Sequence, residues 1–189
     1  RDYVRGFGYQ GSGSRTGWNR GIGDLSFGAD YKESLTHPGP WGMSLSGFGE
    51  TLPYHENKMY LDPTTKDKWG LPVVVFDAEF KENERKMRID MKNDAAEILE
   101  AAGMKNIQSF DRPAVPGMAI HEMGTARMGH DPKTSVLNKW NQMHDVKNVF
   151  VTDGAFMTSN ACQNPSLTYM AFTARACDYA VKELKKGNL

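Results

Sequence analysis

A strand-sized apolar run, a glycine turn and a long helical repeat close this sequence, and together they restrict its fold more than any other feature. From Pro165 to Lys186, Leu167, Met170, Ala171, Ala174, Cys177, Val181 and Leu184 recur at the spacing of one helix face. Asn164 suits the cap of that helix, Pro165 its first turn and Gly187 its exit. Ahead of it, Asn148 to Thr152 reads as a strand of the kind buried on both faces in a parallel sheet, and Asp153-Gly154-Ala155 ends it. Ligands bind at the carboxyl ends of such strands, where a glycine lets backbone N–H groups approach a phosphate; a plain strand-ending turn is the alternative.

The first two thirds read differently. Met43 to Leu52 alternates weakly, while Lys58 to Asp62 and Leu71 to Phe76 are strands joined through Pro63, Thr64, Thr65, Lys66 and Asp67 as a hairpin with a longer loop. Asn83 to Ala102 is a helix with Met87, Met91, Ala95, Ile98, Leu99 and Ala102 on one face, Asn83 as cap and Gly103 as stop. Asn106 to Phe110 reads as a short strand, and Arg112-Pro113 with Val115-Pro116-Gly117 as a break. The expected class is α+β, an antiparallel sheet backed by a long helix. Gly6-Phe7-Gly8-Tyr9-Gln10-Gly11 matches the dinucleotide pattern GxGxxG, but neither flank supplies the required strand and helix. An irregular or strand-edge segment is expected there.

Met118 to His121 is a short apolar strand that would set His121 at the edge of a cleft, followed by Glu-Met-Gly-Thr-Ala-Arg-Met-Gly to Gly129. An imidazole exchanges protons near neutral pH, so a histidine at a strand end and an asparagine at a helix start, aimed at one spot, form a proton-handling pair. A purely structural histidine is the alternative. Zinc of the HExxH type is excluded because position 125 is Thr, and His130 with Asp131 would make at most a weak surface metal site. Gly124, Thr125, Arg127 and Gly129 read as scaffolding, and His130 to Val146 as loop with His144 exposed.

The order HxxGTxRMG, then VFVTDGA, then NPSLTYMAFTARACDYA resembles the carboxyl-terminal part of the glucose-methanol-choline (GMC) family of flavin oxidoreductases. Upstream, Asn57 to Pro63 and Lys66 to Pro72 are similar to the hairpin of that family's substrate domain, so the likeness runs roughly from Glu50 to Lys185. A histidine answered by Asn-Pro looks more like sugar and sugar-acid dehydrogenases and pyranose oxidase within it. The resemblance implies FAD-dependent oxidation of a CH–OH group of a sugar, sugar acid or polyol. It implies His121 and Asn164 as catalytic residues, with Asp153, Gly154, Ala155, Asn164, Pro165 and Ser166 against the flavin. Residues 1–128 are then expected as part of a substrate-binding domain, and 129–189 as a return into a Rossmann-like FAD domain. The amino-terminal FAD half would lie elsewhere in the same polypeptide, so this chain alone is expected to retain FAD poorly.

The 189 residues carry no formal net charge and are 39% hydrophobic, which fits a globular chain. Acidic and basic residues are mixed, so no nucleic-acid partner is expected. No apolar run approaches the roughly 20 residues of a bilayer span. Two cysteines, Cys162 and Cys177, argue against a disulfide framework. A start at Arg1, without Met or leader, points to a piece of a longer chain, leaving the cytoplasm and the periplasm both open. Any electron-accepting partner is likewise open. The rival reading is a non-catalytic carbohydrate-binding or assembly module using Trp18, Trp41, Trp69 and Trp140.

Overall fold

The computed structural model describes residues 1–15, 28–112, 115–118 and 121–189. It is mixed α and β, with two antiparallel two-stranded sheets and two 20-residue helices. The chain divides into two compact units, Arg1–Gly49 with Glu82–Asp111, and Glu50–Lys81 with Arg112–Leu189.

In the first unit, β1 (Phe7–Arg15) pairs with β2 (Trp41–Gly49) from Phe7↔Gly49 to Arg15↔Trp41, with a short helix α1 (Ala29–Ser34) in the connection. The GxGxxG residues therefore lie within the segment leading into and along a regular strand, and not on a strand-to-helix turn. Their glycine-rich neighbours have a packing purpose. Helix α2 (Glu82–Ala101) lays Met87 and Met91 directly on β2, where a Cβ at Gly47 would stand 2.0 Å from the Met91 Sδ and one at Gly49 2.6 Å from the Met87 Sδ. The strand thus gives up side chains so that a flexible thioether stripe can reach its backbone. Tyr9 Oη adds a hydrogen bond to the Met91 carbonyl at 2.6 Å.

Two local expectations fail in this unit. Asn83 sits inside α2, not at its cap, and its amide pairs with the Val4 backbone instead, accepting from the N–H at 2.9 Å and donating to the carbonyl. Residues 106–110 form no strand: Asn106 takes a left-handed φ of 57°, which turns the chain away from any ladder, and Arg88 holds the following Asp111 with a bidentate ion pair. The exit of α2 is as expected, with Gly103 at φ 80° and the Met104 N–H closing back to the Leu99 carbonyl.

In the second unit, β3 (Lys58–Lys66) and β4 (Pro72–Asp77) form the expected hairpin, in register from Lys58↔Asp77 to Leu61↔Val74 and shifted before Lys66↔Pro72. The Asp62 carboxylate accepts from the N–H groups of Thr64 and Thr65, both at 2.8 Å, and fixes the irregularity around Pro63. Asp67 does the same at the tip for Trp69 and Leu71.

The run 148–152 pairs differently from the parallel strand expected. Met143 N–H donates to the Val149 carbonyl and Val151 N–H to the Asn141 carbonyl, making an antiparallel bridge centred on Gln142↔Phe150. The nearer chain, folding back at Val146, satisfies these backbone groups first. Helix α3 (Ser166–Lys185) packs through Tyr169, Phe172, Ala176 and Tyr179, not through the stripe read from sequence. That stripe faces outward, with Leu167 78% and Met170 68% exposed. No described helix is long and apolar enough to cross a membrane.

Candidate functional site

Three segments of the second unit meet at Gly154. The turn Gly154–Phe156 is a single 3-10 turn whose start is capped by the Asp153 carboxylate, accepting from the Ala155 N–H at 2.9 Å. Running beside it, the chain after His121 donates from Ala126 N–H to the Ala155 carbonyl (2.9 Å) and from Met128 N–H to the Phe156 carbonyl (3.0 Å). The first turn of α3 supplies Tyr169. A Cβ at Gly154 would stand 2.8 Å from the Glu122 carbonyl oxygen, 2.9 Å from Tyr169 Oη and 3.0 Å from Met123 Sδ. Only a residue without a side chain lets these three groups close on one point.

Beneath this junction lies Phe156, 2% exposed, stacked on Phe172 with ring centroids 4.7 Å apart and edge-on to Tyr169 at 6.4 Å. Burial, with the charges of Asp153 and Glu122 nearby, pushes the Tyr169 hydroxyl above its ordinary pKa, so it stays protonated and donates to Met123 Sδ at 3.7 Å. Farther along the same face of α3, Trp140 stacks on Tyr179 at 4.8 Å, and Arg175 reaches over Phe172 to the Lys139 carbonyl at 2.6 Å. The buried Asn141, at φ 61°, donates to the Val151 carbonyl. Helix, turn and bridge are thus packed together through these contacts.

The residues picked out from sequence fall into this frame as follows. His121 is half-buried and directly precedes Glu122 and Met123, the pair held at Gly154. The strand expected to carry it includes 119–120, outside the described residues. Asn164 is exposed and is not the cap of α3; the helix begins at Ser166 with Pro165 in the capping position and no side-chain cap. Pro165 is buried and its carbonyl accepts the Tyr169 N–H, which leaves Asn164 one step outside the helix. Asp153 has a structural task already, so the turn offers backbone groups more than a carboxylate. Gly124 takes φ 87°, and the Arg127 carbonyl accepts from both Val136 and Leu137, a scaffolding arrangement. His144 is half-buried, 3.1 Å from Ser135 Oγ, rather than exposed. Tyr169 and Met123 escaped sequence reasoning, since neither belongs to the stripe or to the proton-handling pair.

Of the tryptophans, Trp140 is taken by its stack on Tyr179, whereas Trp41 and Trp69 are exposed; Trp18 lies outside the described residues. Among the described residues no group of three or more His, Cys, Asp or Glu is placed to hold a metal ion. Cys162 and Cys177 are not joined in a disulfide.

Residues 53–173 match the family described as GMC oxidoreductase. The chain is 37% identical to a 2-methyl-1,2-propanediol dehydrogenase of Mycolicibacterium austroafricanum, over 95% of this chain and 33% of that protein. It is 32% identical to the fructose dehydrogenase large subunit of Gluconobacter japonicus, over 77% of this chain and 26% of the relative. Identity to the gluconate 2-dehydrogenase flavoprotein of Pantoea cypripedii is 28%, over 80% and 26%. The chain thus spans a third or less of the length of these relatives.

Proposed function

The chain belongs to the GMC oxidoreductase family, which is flavin-dependent, and from that membership we propose that the complete protein oxidises a CH–OH group of a sugar, sugar acid or polyol with FAD. The observation that carries this reading is the family match over residues 53–173, within which the junction at Gly154 ties the His121 segment to the first turn of α3. His121 accepts the substrate hydroxyl proton, and Asn164 donates a hydrogen bond to the same oxygen. Both must then face one small-molecule group. When bound, FAD supplies the hydride acceptor, flavin N5.

The residues present fit such a group. Helix α3 starts without a side-chain cap, so its first N–H groups and the positive end of its dipole suit an electron-rich edge of the flavin beside Asn164, Pro165 and Ser166. The turn Asp153-Gly154-Ala155 adds backbone, its carboxylate being engaged within the turn. The adenosine and pyrophosphate ends would be held by a Rossmann-like half elsewhere in the polypeptide, which residues 129–189 rejoin, while 1–128 belong to the substrate domain.

The test is to purify the complete protein gently and challenge it with a panel of sugars, sugar acids and polyols and a dye acceptor, with and without oxygen. A yellow protein whose flavin is bleached anaerobically by a member of the panel is expected. Absence of flavin absorbance would overturn the proposal and favour a binding module.

A further inference from the structure

Tyr169 meets the His121 segment from the helix side. Its backbone N–H is bonded to the Pro165 carbonyl at 3.0 Å and its ring lies edge-on against Phe156, so the ring is fixed by α3 and by the core. The hydroxyl is the part that reaches across. It donates to Met123 Sδ at 3.7 Å, and it stands with the Glu122 carbonyl around the space left by Gly154. Glu122 and Met123 are the two residues that directly follow His121. Farther along, the same segment is anchored by the Ala126 and Met128 backbone bonds to the 155–156 turn. The Tyr169 hydroxyl adds a side-chain contact two residues from the histidine, on a methionine whose three rotatable bonds would otherwise leave it several rotamers.

We propose that Tyr169 is a positioning residue for His121, its hydroxyl clasping Met123 so that the imidazole is presented in register with the start of α3. This rests on His121 being the base. A base must be held to within about 0.5 Å of its productive place for proton transfer to keep pace with hydride departure. Contact through one sulfur acceptor adjusts that placement while leaving the fold intact, because the ring packing does not depend on the hydroxyl.

The experiment compares Tyr169→Phe, Met123→Leu and the double variant in the complete flavin-loaded protein, by anaerobic rapid mixing with saturating substrate. Both single variants keep the packing volume, so flavin content and half-saturating substrate should stay at wild-type values, with the melting temperature lowered by no more than a few degrees. The rate of flavin reduction should fall by about three- to tenfold in each, the scale of one hydrogen bond. Because each removes one partner of the same contact, the double variant should be no slower than the slower single variant. Should Tyr169→Phe not fold, Met123→Leu carries the same expectation. Unchanged reduction rates, effects that multiply in the double variant, or a loss that follows flavin content or melting temperature would overturn the proposal. His121→Ala separates the two levels: if it leaves reduction unaffected, the base assignment fails as well. If it slows reduction while Tyr169→Phe and Met123→Leu do not, the positioning role alone fails.

Discussion

At Gly154 the segment after His121, the 153–156 turn and the first turn of α3 meet, and its lack of a side chain is a packing requirement. Replacing it by alanine forces a methyl group to within 3 Å of the Glu122 carbonyl oxygen, a backbone atom that cannot swing aside. Overpacking of this kind costs about 1–3 kcal/mol, so Gly154→Ala should lower the unfolding free energy in a denaturant titration by that amount. An unchanged midpoint would mean that the 122–123 segment sits less tightly than the geometry requires. The sequence marks Gly154 as a turn glycine at a strand end and His121 as a proton-handling candidate. It does not reveal that Glu122, Met123 and Tyr169 share one point, because that closeness joins residues far apart in the chain. No periodic pattern carries it.

The helices and the hairpin follow from local chemistry, and their errors have local causes. Both long helices lie within a residue of where apolar spacing sets them, but Asn83 and Asn164 are not their caps: one is claimed by the Val4 backbone, and Pro165 stands between the other and the helix. Apolar residues lie on more than one face of α3, so spacing alone cannot choose between Leu167, Met170 and Leu184 and the aromatic row Tyr169, Phe172 and Tyr179. That aromatic row is what Phe156 holds. Phe156→Ala should cost about 3–5 kcal/mol, detectable by chemical denaturation, whereas a loss under about 1 kcal/mol would show that α3 does not depend on the turn. In the hairpin, the backbone N–H groups of Thr65 and Thr64 hold the Asp62 carboxyl down to about 2, below its ordinary value. A depressed folded-state pKa contributes stability above the ordinary carboxyl range and loses it as pH falls from about 4 toward about 2. Melting temperatures of wild type and Asp62→Asn should therefore converge over that interval; curves that stay parallel would show that the turn does not need the charge.

Taken entire, the chain spans a third or less of the length of the relatives it matches. Its relatives are three or more times as long as the part matched, and α3 presents an exposed apolar face beside a start with no side-chain cap. Isolated, the 189 residues should bind FAD weakly, since under the proposed placement the turn and the helix start would meet only the flavin end, and association must also offset at least several kcal/mol of lost translational and rotational freedom. The exposed stripe should favour self-association, visible in light scattering as a mass that rises with concentration. A stoichiometric FAD complex at micromolar affinity would place the adenosine and pyrophosphate contacts within these residues as well, against the proposal. The α+β class was readable from the pattern of elements and the family from three motifs in order; which segments support the histidine required the folded chain. The role given to His121 is tested most directly by anaerobic stopped-flow reduction of the complete protein against its His121→Ala variant. Reduction slowed by about 10²-fold or more, with FAD content near that of wild type, is the expected result. An equal rate of bleaching in the two proteins would contradict it and return His121 to a structural part.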